Sequence, residues 1–317
     1  TLGAGGVDAS ALSSGTMTIT NVTTIGGPGV QRWNVGAGAT IAFGKLGAGA
    51  DAADTYTPNG AIVLISNTGA KTTTTADGWG WRSGDVAGTG LLGPGMVIDN
   101  GNNTYDWASA GAGGGPIVAA TYTTAVNGDA HNVRVTANTT VTPNASWASL
   151  LVSNATLTAN TGGSLYLDTG IILENGGAVA GSDPLKANAD GLYIYTPDTG
   201  TISSSIQNNG ATAKLLYKAG PGTLTLSGGN TYSGATIIYA GTLQMGASGT
   251  TGTLGAGNIT NDAALTFNYG ASGNVTFNNA ISGTGTVALA GASGARVHFG
   301  GANTYSGTTT INAGNTL

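Results

Sequence analysis

Acidic residues that stand close together in the sequence are the first candidates for chemistry. Paired carboxylates perform acid and base catalysis in glycosidases, and carboxylate oxygens bind Ca²⁺. Four such pairs occur: Asp51 with Asp54, Asp77 with Asp85, Asp99 with Asp106, and Asp183 with Asp190. An aspartate in a loop or turn ordinarily accepts hydrogen bonds from the nearby backbone. We interpret these residues as turn acids and predict no catalytic residue among them.

Metal and cofactor chemistry has little support in the sequence. The two histidines, His131 and His298, stand far apart, and neither has a second His or Cys nearby. The calcium-binding Gly-Gly-x-Gly-x-Asp repeat, the Gly-x-Ser-x-Gly elbow and the Walker lysine motif do not occur. We expect no metal, no cofactor and no enzymatic activity. A glycan-active enzyme stays the least favoured alternative, because carboxylates distant in sequence can meet in space.

The aromatic string 79–82, Trp-Gly-Trp-Arg, suggests a binding surface. Exposed aromatic rings stack on sugar rings or on partner proteins, and in a strand Trp79 and Trp81 point to one face while Arg82 points to the other. Burial in the core or under a loop is the commoner fate of such rings. Trp79 and Trp81 are therefore candidates for an aromatic binding surface, with burial as the alternative.

The composition limits both the partners and the fold. The 317 residues include 57 Gly, 7% are charged and the net charge is −5, which is too dilute for a nucleic-acid or polybasic membrane contact. Apolar runs stop at four or five residues, far short of the ~20 that cross a membrane, so no membrane insertion by this segment is predicted. Gly, Thr, Asn, Ser and Val are weak helix formers, which favours an all-β fold.

An internal repeat organises the chain. Residues 230–241 return as residues 303–314 at an offset of 73, with nine of twelve positions identical. Residues 222–228 and 285–291 share a second pattern at an offset of 63. In this pattern one Gly stands at each end of a segment that alternates Leu or Val with smaller or polar residues. Short segments that alternate between apolar and polar residues predict half-buried strands. Because β-solenoid coils contain about 20 to 25 residues, we interpret the offset of 73 as three coils.

Such a solenoid accounts for the composition. Gly and Asn tolerate the left-handed conformations of corners, and Thr is a polar residue that favours strands. Stacked coils place equivalent side chains about 4.8 Å apart, so that like charges would repel. We therefore predict Gly and Asn at the corners, Thr on the outer face and few charges anywhere.

The block 220–234, continued by 240–245, closely resembles the autotransporter-associated β-strand repeat of type V secretion passengers. The shared motif is Asn-Thr-Tyr-Ser-Gly, present as Asn230, Thr231, Tyr232, Ser233 and Gly234 and again as Asn303, Thr304, Tyr305, Ser306 and Gly307. The second copy departs from the pattern at Asn315 and at residues 296–299. The resemblance implies a right-handed parallel β-helix, displayed or released at a Gram-negative cell surface. It supplies no catalytic residue.

The organisation along the chain follows. Residues 1–125 are less regular and are interpreted as a β-helix with long loop insertions, with a separate all-β element as the alternative. Residues 126–317 are predicted to be a regular β-helix, with the clearest repeats at 220–245 and 283–317. Both ends are expected to continue in a longer chain.

The function expected from these observations is that of a structural and adhesive surface scaffold. Its candidate partners are cell-surface glycans or other copies of the same chain. The alternative is a repeat unit of a self-associating surface filament or sheath.

Overall fold

The computed structural model describes 15 stretches of backbone, with side chains mainly beyond residue 132. The backbone is described at residues 7–9, 15–19, 29–35, 39–43, 61–66, 72–75, 96–99, 105–110, 117–119, 122–124, 126, 132–141, 144–249, 252–271 and 274–317. The side chains are described at residues 97–98, 105–107, 122–124, 126, 132–141, 144–247, 252–271 and 274–317. Every regular element in these stretches is a β-strand. The chain divides into two compact units, Thr1–Thr123 with Ala130–Asn132, and Thr124–Asp129 with Val133–Leu317.

The first unit contains nine described strands in two sheets. They are β1 Val7–Ala9, β2 Gly15–Ile19, β3 Gly29–Val35, β4 Ala39–Phe43, β5 Ala61–Ser66, β6 Thr72–Thr75, β7 Met96–Asp99, β8 Tyr105–Ala110 and β9 Ile117–Ala119. One sheet has the order β1-β3-β5-β7-β8-β9 and the other the order β2-β4-β6. All pairs are parallel except β7–β8 and β8–β9, which are antiparallel. Strands β1 to β7 thus enter the two sheets alternately, whereas β8 and β9 extend the first sheet.

The second unit contains the remaining described strands. They are β10 Asn132–Val135, β11 Thr139–Thr140, β12 Ser146–Trp147, β13 Ser149–Ser153, β14 Thr156–Thr158, β15 Leu165–Leu167, β16 Gly170–Glu174, β17 Gly177–Ala180, β18 Leu185–Ala187, β19 Gly191–Tyr195, β20 Thr199–Ile202, β21 Ile206–Gln207, β22 Leu215–Ala219, β23 Thr223–Leu226, β24 Thr236–Ile238, β25 Thr242–Gly249, β26 Ile259–Asn261, β27 Ala264–Tyr269, β28 Asn274–Phe277, β29 Ile281–Ser282, β30 Thr286–Leu289, β31 Arg296–Phe299 and β32 Thr309–Ile311.

These strands stack into three parallel faces. The first face has the order β10-β13-β16-β19-β22-β24-β26-β29, and the second has the order β11-β14-β17-β20-β23-β25-β27-β30-β32. The third face consists of β12-β15-β18-β21 and, separately, β28-β31. Each first-face strand opens a coil, so β10 opens coil 1 and β29 opens coil 8. The prediction of an all-β parallel solenoid is confirmed, with about eight turns.

The interior of the second unit is built from ladders of apolar side chains. On the second face one continuous buried ladder runs through Leu157, Val179, Ile202, Leu226, Met245, Phe267 and Leu289, and it ends at Ile311, which is exposed. The outward neighbours of this ladder include Thr201, Thr225 and Thr266, all half-buried. Stacking identical positions removes apolar surface from water in every coil, which stabilises the solenoid by many small contributions. The predicted Thr-rich outer side is confirmed on this face.

Corners of the second unit require left-handed backbone. The three described residues other than Gly with positive φ are Asn144, Asn154 and Asn175. Asn154 connects β13 to β14, and Asn175 makes the same connection one coil later, from β16 to β17. Asn tolerates this conformation better than other side chains do. The predicted role of Asn at corners is confirmed for this part of the chain.

The first face differs from the predicted pattern of one buried and one polar side. In β16 and β19 every residue is buried, and Leu151, Ile172 and Tyr193 are buried although they lie outside the interior ladder. Over coils 2 to 5 this sheet therefore has apolar side chains on both sides. A sheet covered on both sides reads as a continuous apolar run, so alternation does not reveal it.

The interpretation of the offset of 73 as three coils is wrong. Thr223, Thr242, Ala264 and Thr286 are register partners on the second face, so three coils correspond to the offset of 63. The longer repeat brings Thr236 onto the first face in β24 but Thr309 onto the second face in β32. The two offsets differ because coil 8 contains the third-face strand β31 before the second copy of the motif. Coil 5 has no described third-face strand before the first copy.

Candidate functional site

The two copies of the Asn-Thr-Tyr-Ser-Gly motif form the same local structure. The Oδ1 atom of Asn230 accepts a hydrogen bond from the backbone N–H of Ile206 at 2.7 Å, and Asn303 accepts from Ile281 at 2.9 Å. The next two backbone N–H groups of each copy donate to the carbonyl of that same isoleucine. Each motif therefore closes a corner against the preceding coil by a side chain and two backbone groups.

The tyrosine of each motif is held by a hydroxyl four residues later. Tyr232 and Thr236 approach to 2.6 Å, and Tyr305 and Thr309 approach to the same distance. Tyr232 is fully buried, and burial raises its pKa to about 12. Tyr305 is half-buried. The same contact thus lies in two environments, as expected for copies that occupy different faces.

Serine and glycine complete the first motif. The backbone N–H of Ser233 donates to Oδ1 of Asn208 at 3.1 Å, and the amide of Asn208 donates back to the Ser233 hydroxyl at 2.8 Å. A Cβ on Gly234 would lie 2.5 Å from the carbonyl oxygen of Lys214. The glycine is therefore required by close approach of two backbone segments.

The described aspartates satisfy backbone and side-chain donors rather than facing one another. Asp183 accepts hydrogen bonds from the Thr161 backbone, the Thr161 hydroxyl and the Gly162 backbone at 2.6 to 2.9 Å. Burial alone raises the pKa of Asp183, but these hydrogen bonds outweigh it and hold the pKa below its ordinary value. On the surface, Asn209 donates to Asn188, which donates to Asp168, at 2.8 and 2.7 Å. These arrangements link coils and contain no paired carboxylates.

Aromatic side chains stack on the outer side of the first face. The rings of Tyr193 and Tyr217 have centroids 4.3 Å apart, and their hydroxyls donate to Asp190 at 3.2 and 3.1 Å. Burial, followed by the charge of Asp190, raises the pKa of Tyr217. Both rings are buried, at 0% and 3% exposure. They are therefore unavailable for stacking on a ligand.

A lysine occupies the interior of coil 5. Lys218 follows Ile194 and precedes Ile238 in the interior ladder of the first face, and it is fully buried. Its ammonium donates to the carbonyl oxygens of Ala219, Gly220 and Ala240 at 2.9 to 3.0 Å. Burial lowers the pKa of Lys218 to about 7. Nothing in the sequence pattern had marked this residue.

A groove opens on the third face between coils 6 and 7. We call it the third-face groove; its volume is about 500 Å³, and its lining includes Thr231, Leu254, Ala256, Tyr269, Thr276 and Asn278. None of the described residues that line it is charged. It is a candidate binding site on the described part of the solenoid, and the sequence had not indicated it.

Other predicted site residues fall elsewhere. The strings and pairs at Asp51, Asp54, Asp77, Asp85, Trp79 and Trp81, together with His131, lie outside the described residues. His298 is exposed in β31. Within the described stretches, no three His, Cys, Asp or Glu side chains group as metal ligands would. None of the described residues belongs to a helix of the length and apolarity that crossing a membrane requires.

Comparisons with known proteins agree with this architecture. Residues 216–245 match the family described as passenger-associated-transport-repeat. That segment spans nearly all of coil 5, with β24 and the first half of β25 in coil 6. No solved structure matches the chain.

One curated relative aligns with part of the chain. It is the adhesin BmaC autotransporter of Brucella suis biovar 1 (strain 1330), with 35% identity over 98 residues. The alignment covers 31% of this chain and 3% of that adhesin, so the chain spans only a small part of its relative's length. Together the two matches confirm the class that the sequence predicted, an autotransporter passenger-like repeat protein.

Proposed function

We propose that this chain is a non-enzymatic adhesive scaffold displayed at a Gram-negative cell surface. The observation that supports the proposal most directly is the passenger-type repeat at residues 216–245, which lies within coils 5 and 6 of the solenoid. The similarity to an adhesin over 98 residues points in the same direction. The solenoid provides a rigid support, and its surface provides the contacts.

The chemistry of the described residues fits this role. Several of their carboxylates and amides link coils, as Asp183 and Asn209 illustrate. Polar groups that satisfy one another within the fold stabilise it. Binding is then expected from surface grooves and loops, which scaffolds of this kind present to partners.

The test is adhesion of the purified 317-residue chain. Microspheres coated with it should adhere to cultured epithelial cells or to glycan-coated plates more than microspheres coated with serum albumin do. Equal adherence of the two preparations to both surfaces would refute the adhesive role. If the coated microspheres adhere only to plates that carry the chain itself, the adhesive role is refuted and a self-associating filament is supported. Release of soluble fragments from a glycan by the chain would refute the non-enzymatic role.

A further inference from the structure

Strand pairing on the third face is interrupted at the third-face groove. The first third-face sheet ends with β21, and pairing resumes only with β28 and β31. Between them, coils 5 and 6 are joined by an isolated bridge from Gly229 to Thr253. Among the described residues, no backbone hydrogen bond joins 252–257 to 274–279. Among the described residues the third-face ladder is therefore missing between coils 6 and 7, whereas β24–β26 and β25–β27 join these coils on the other two faces.

A side chain partly substitutes for the missing ladder. The amide of Asn279 donates to the carbonyl oxygens of Gly255 and Gly257 at 2.7 and 2.6 Å. These bonds close the groove at the end nearest the first face. They leave β28 itself, which ends at Phe277, without a described backbone partner in the preceding coil.

Strand β28 therefore has one used edge and one open edge. The carbonyl of Phe277 accepts a hydrogen bond from the backbone N–H of Gly300 at 2.9 Å, which directs Phe277 toward β31. Backbone groups of successive residues in a strand point to alternate edges, so those of Thr276 point toward the groove. An open strand edge with N–H and C=O groups is a template for pairing with another strand.

The lining of the groove indicates what kind of strand fits. Tyr269 and Leu254 are buried and form an apolar wall, whereas Thr231, Thr276 and Asn278 are exposed and polar. A strand inserted between them would place alternate side chains against the wall and toward solvent. From the rise, spacing and thickness of a sheet, 500 Å³ corresponds to roughly three residues. Because the lining carries no charge, a charged peptide gains nothing there.

We propose that the third-face groove binds an extended, uncharged peptide segment of a partner protein, which adds a strand to the open edge of β28. Main-chain hydrogen bonds supply the affinity, and the apolar wall selects an apolar residue at alternate positions. The biological role of this site rests on the proposed adhesive function. The binding itself does not, because it is measured with the purified chain.

The probe is a fluorescein-labelled peptide with the sequence of residues 222–228, which is uncharged and alternates Thr with Leu. Fluorescence anisotropy with the full chain should show saturable binding. A matched peptide with proline in place of its central Thr should not bind, because proline removes a donor and cannot continue the ladder.

Two variants of the chain locate the site. Ala256→Trp fills the groove, and Thr276→Pro removes the N–H at the open edge; each should weaken binding by at least about tenfold. Ala211→Trp places the same bulk on an exposed residue outside the groove and should bind as the parent chain does. Circular dichroism establishes that each variant retains its β-structure.

Several results would overturn the proposal. They are the absence of saturable peptide binding, equal binding by Ala256→Trp and the parent chain, and binding of a neutral oligosaccharide to the groove in place of the peptide. Microspheres that adhere to cells while the chain binds no peptide would refute this site alone. Peptide binding by a chain that adheres to no surface would support the site and refute the adhesive function.

Discussion

Lys218 is the residue whose position departs most from its usual preference. An isolated ammonium in an apolar interior is costly, and it persists where its protons have acceptors. An ammonium has three donors, and here three carbonyl oxygens accept from it. Two of them belong to coil 5 and the third, of Ala240, belongs to coil 6. The side chain therefore links two coils at their corner.

Replacement of Lys218 by Met should change the pH dependence of stability. Because burial lowers the folded pKa to about 7 from 10.5, the unfolded chain binds more protons between these values. The free energy of unfolding should thus rise with pH from about 7 toward 10.5 and lack this component below about 7. In Lys218→Met this component should vanish. Urea unfolding from about pH 6 to about pH 9 measures it, and parallel pH profiles for both proteins would contradict the prediction.

The two motif tyrosines form a matched pair for a second prediction. Tyr232→Phe leaves the buried hydroxyl of Thr236 without this partner and should destabilise the protein by about 1 to 3 kcal/mol. Tyr305→Phe removes the same 2.6 Å contact at an exposed threonine, where water replaces it, and should cost less. Hydrogen exchange of β24 and β32 reports each effect locally. Equal losses of protection would show that burial does not set the cost.

The motif, the buried lysine and the groove differ in how far the sequence predicts them. The motif could be read because it occurs twice, and its Asn and Gly are residues that corners require. The burial of Lys218 could not be predicted. The preceding residues Leu215, Leu216 and Tyr217 do not alternate between apolar and polar, so they do not indicate which side of the strand Lys218 faces. The third-face groove arises because strands of neighbouring coils do not pair there, and no residue type indicates this.

At the scale of elements, the corners decide how closely coils stack. Gly241 joins β24 to β25 with a φ of +68°, and a Cβ there would collide with the carbonyl oxygens of Gly222 and Gly220. Gly210 has nearly the same φ, +69°, but a Cβ there would meet nothing within 4 Å. The two glycines share a left-handed backbone conformation and differ in the space around them.

This pair separates strain from collision. Gly210→Ala should cost only the left-handed penalty of about 1 to 2 kcal/mol. Gly241→Ala should cost clearly more, because the stacked backbones must also move apart. Urea unfolding of the two variants gives the comparison. Similar losses of stability in the two variants would mean that the stacked backbones move apart at this corner at little cost.

Strands were predictable where one of their sides faces solvent. Alternation in β23 and β27 identified both strands and their inward residues. The first-face strands β16 and β19 were not predictable in this way. Residues 192–195 alternate Leu and Ile with Tyr, which predicts a half-buried strand, but every residue of β19 is buried, as in β16. Sequence alternation contains no information about a second covering layer.

At the scale of the second unit, stability is close to a sum over neighbouring coils. Removal of a whole number of coils should then preserve the rest. Deletion of residues 223–285 removes 63 residues and brings Thr286 into the place of Thr223, opposite Thr199. The shortened protein should keep its β circular dichroism and resist proteolysis, with lower stability.

Deletion of residues 223–292 is the matched control. It removes 70 residues and brings residues 293–296 to the position of β23, so that Gly294 and Arg296 take the inward positions of Leu224 and Leu226. The segment after the junction should be cleaved readily by protease. Equal resistance of the two deletions would show that the register of coils does not govern folding.

The solenoid as a whole was predictable because the repeat, the turn residues and the low charge all agree on it. The face on which each motif copy lies was not predictable. An offset counts residues, whereas the position in a coil depends on how many strands those residues form. The ten additional residues before the second copy include β31, and that strand changes the face.

The displacement of the motif by one face has a consequence for how such a protein grows. Tandem duplication of the block between two motif copies would rotate each new copy to the next face around the solenoid axis. Three such displacements, of which the two present copies already show the first, would return the motif to its original direction. A passenger lengthened in this way would present the same feature around its whole circumference, and partners approaching from any side would meet it.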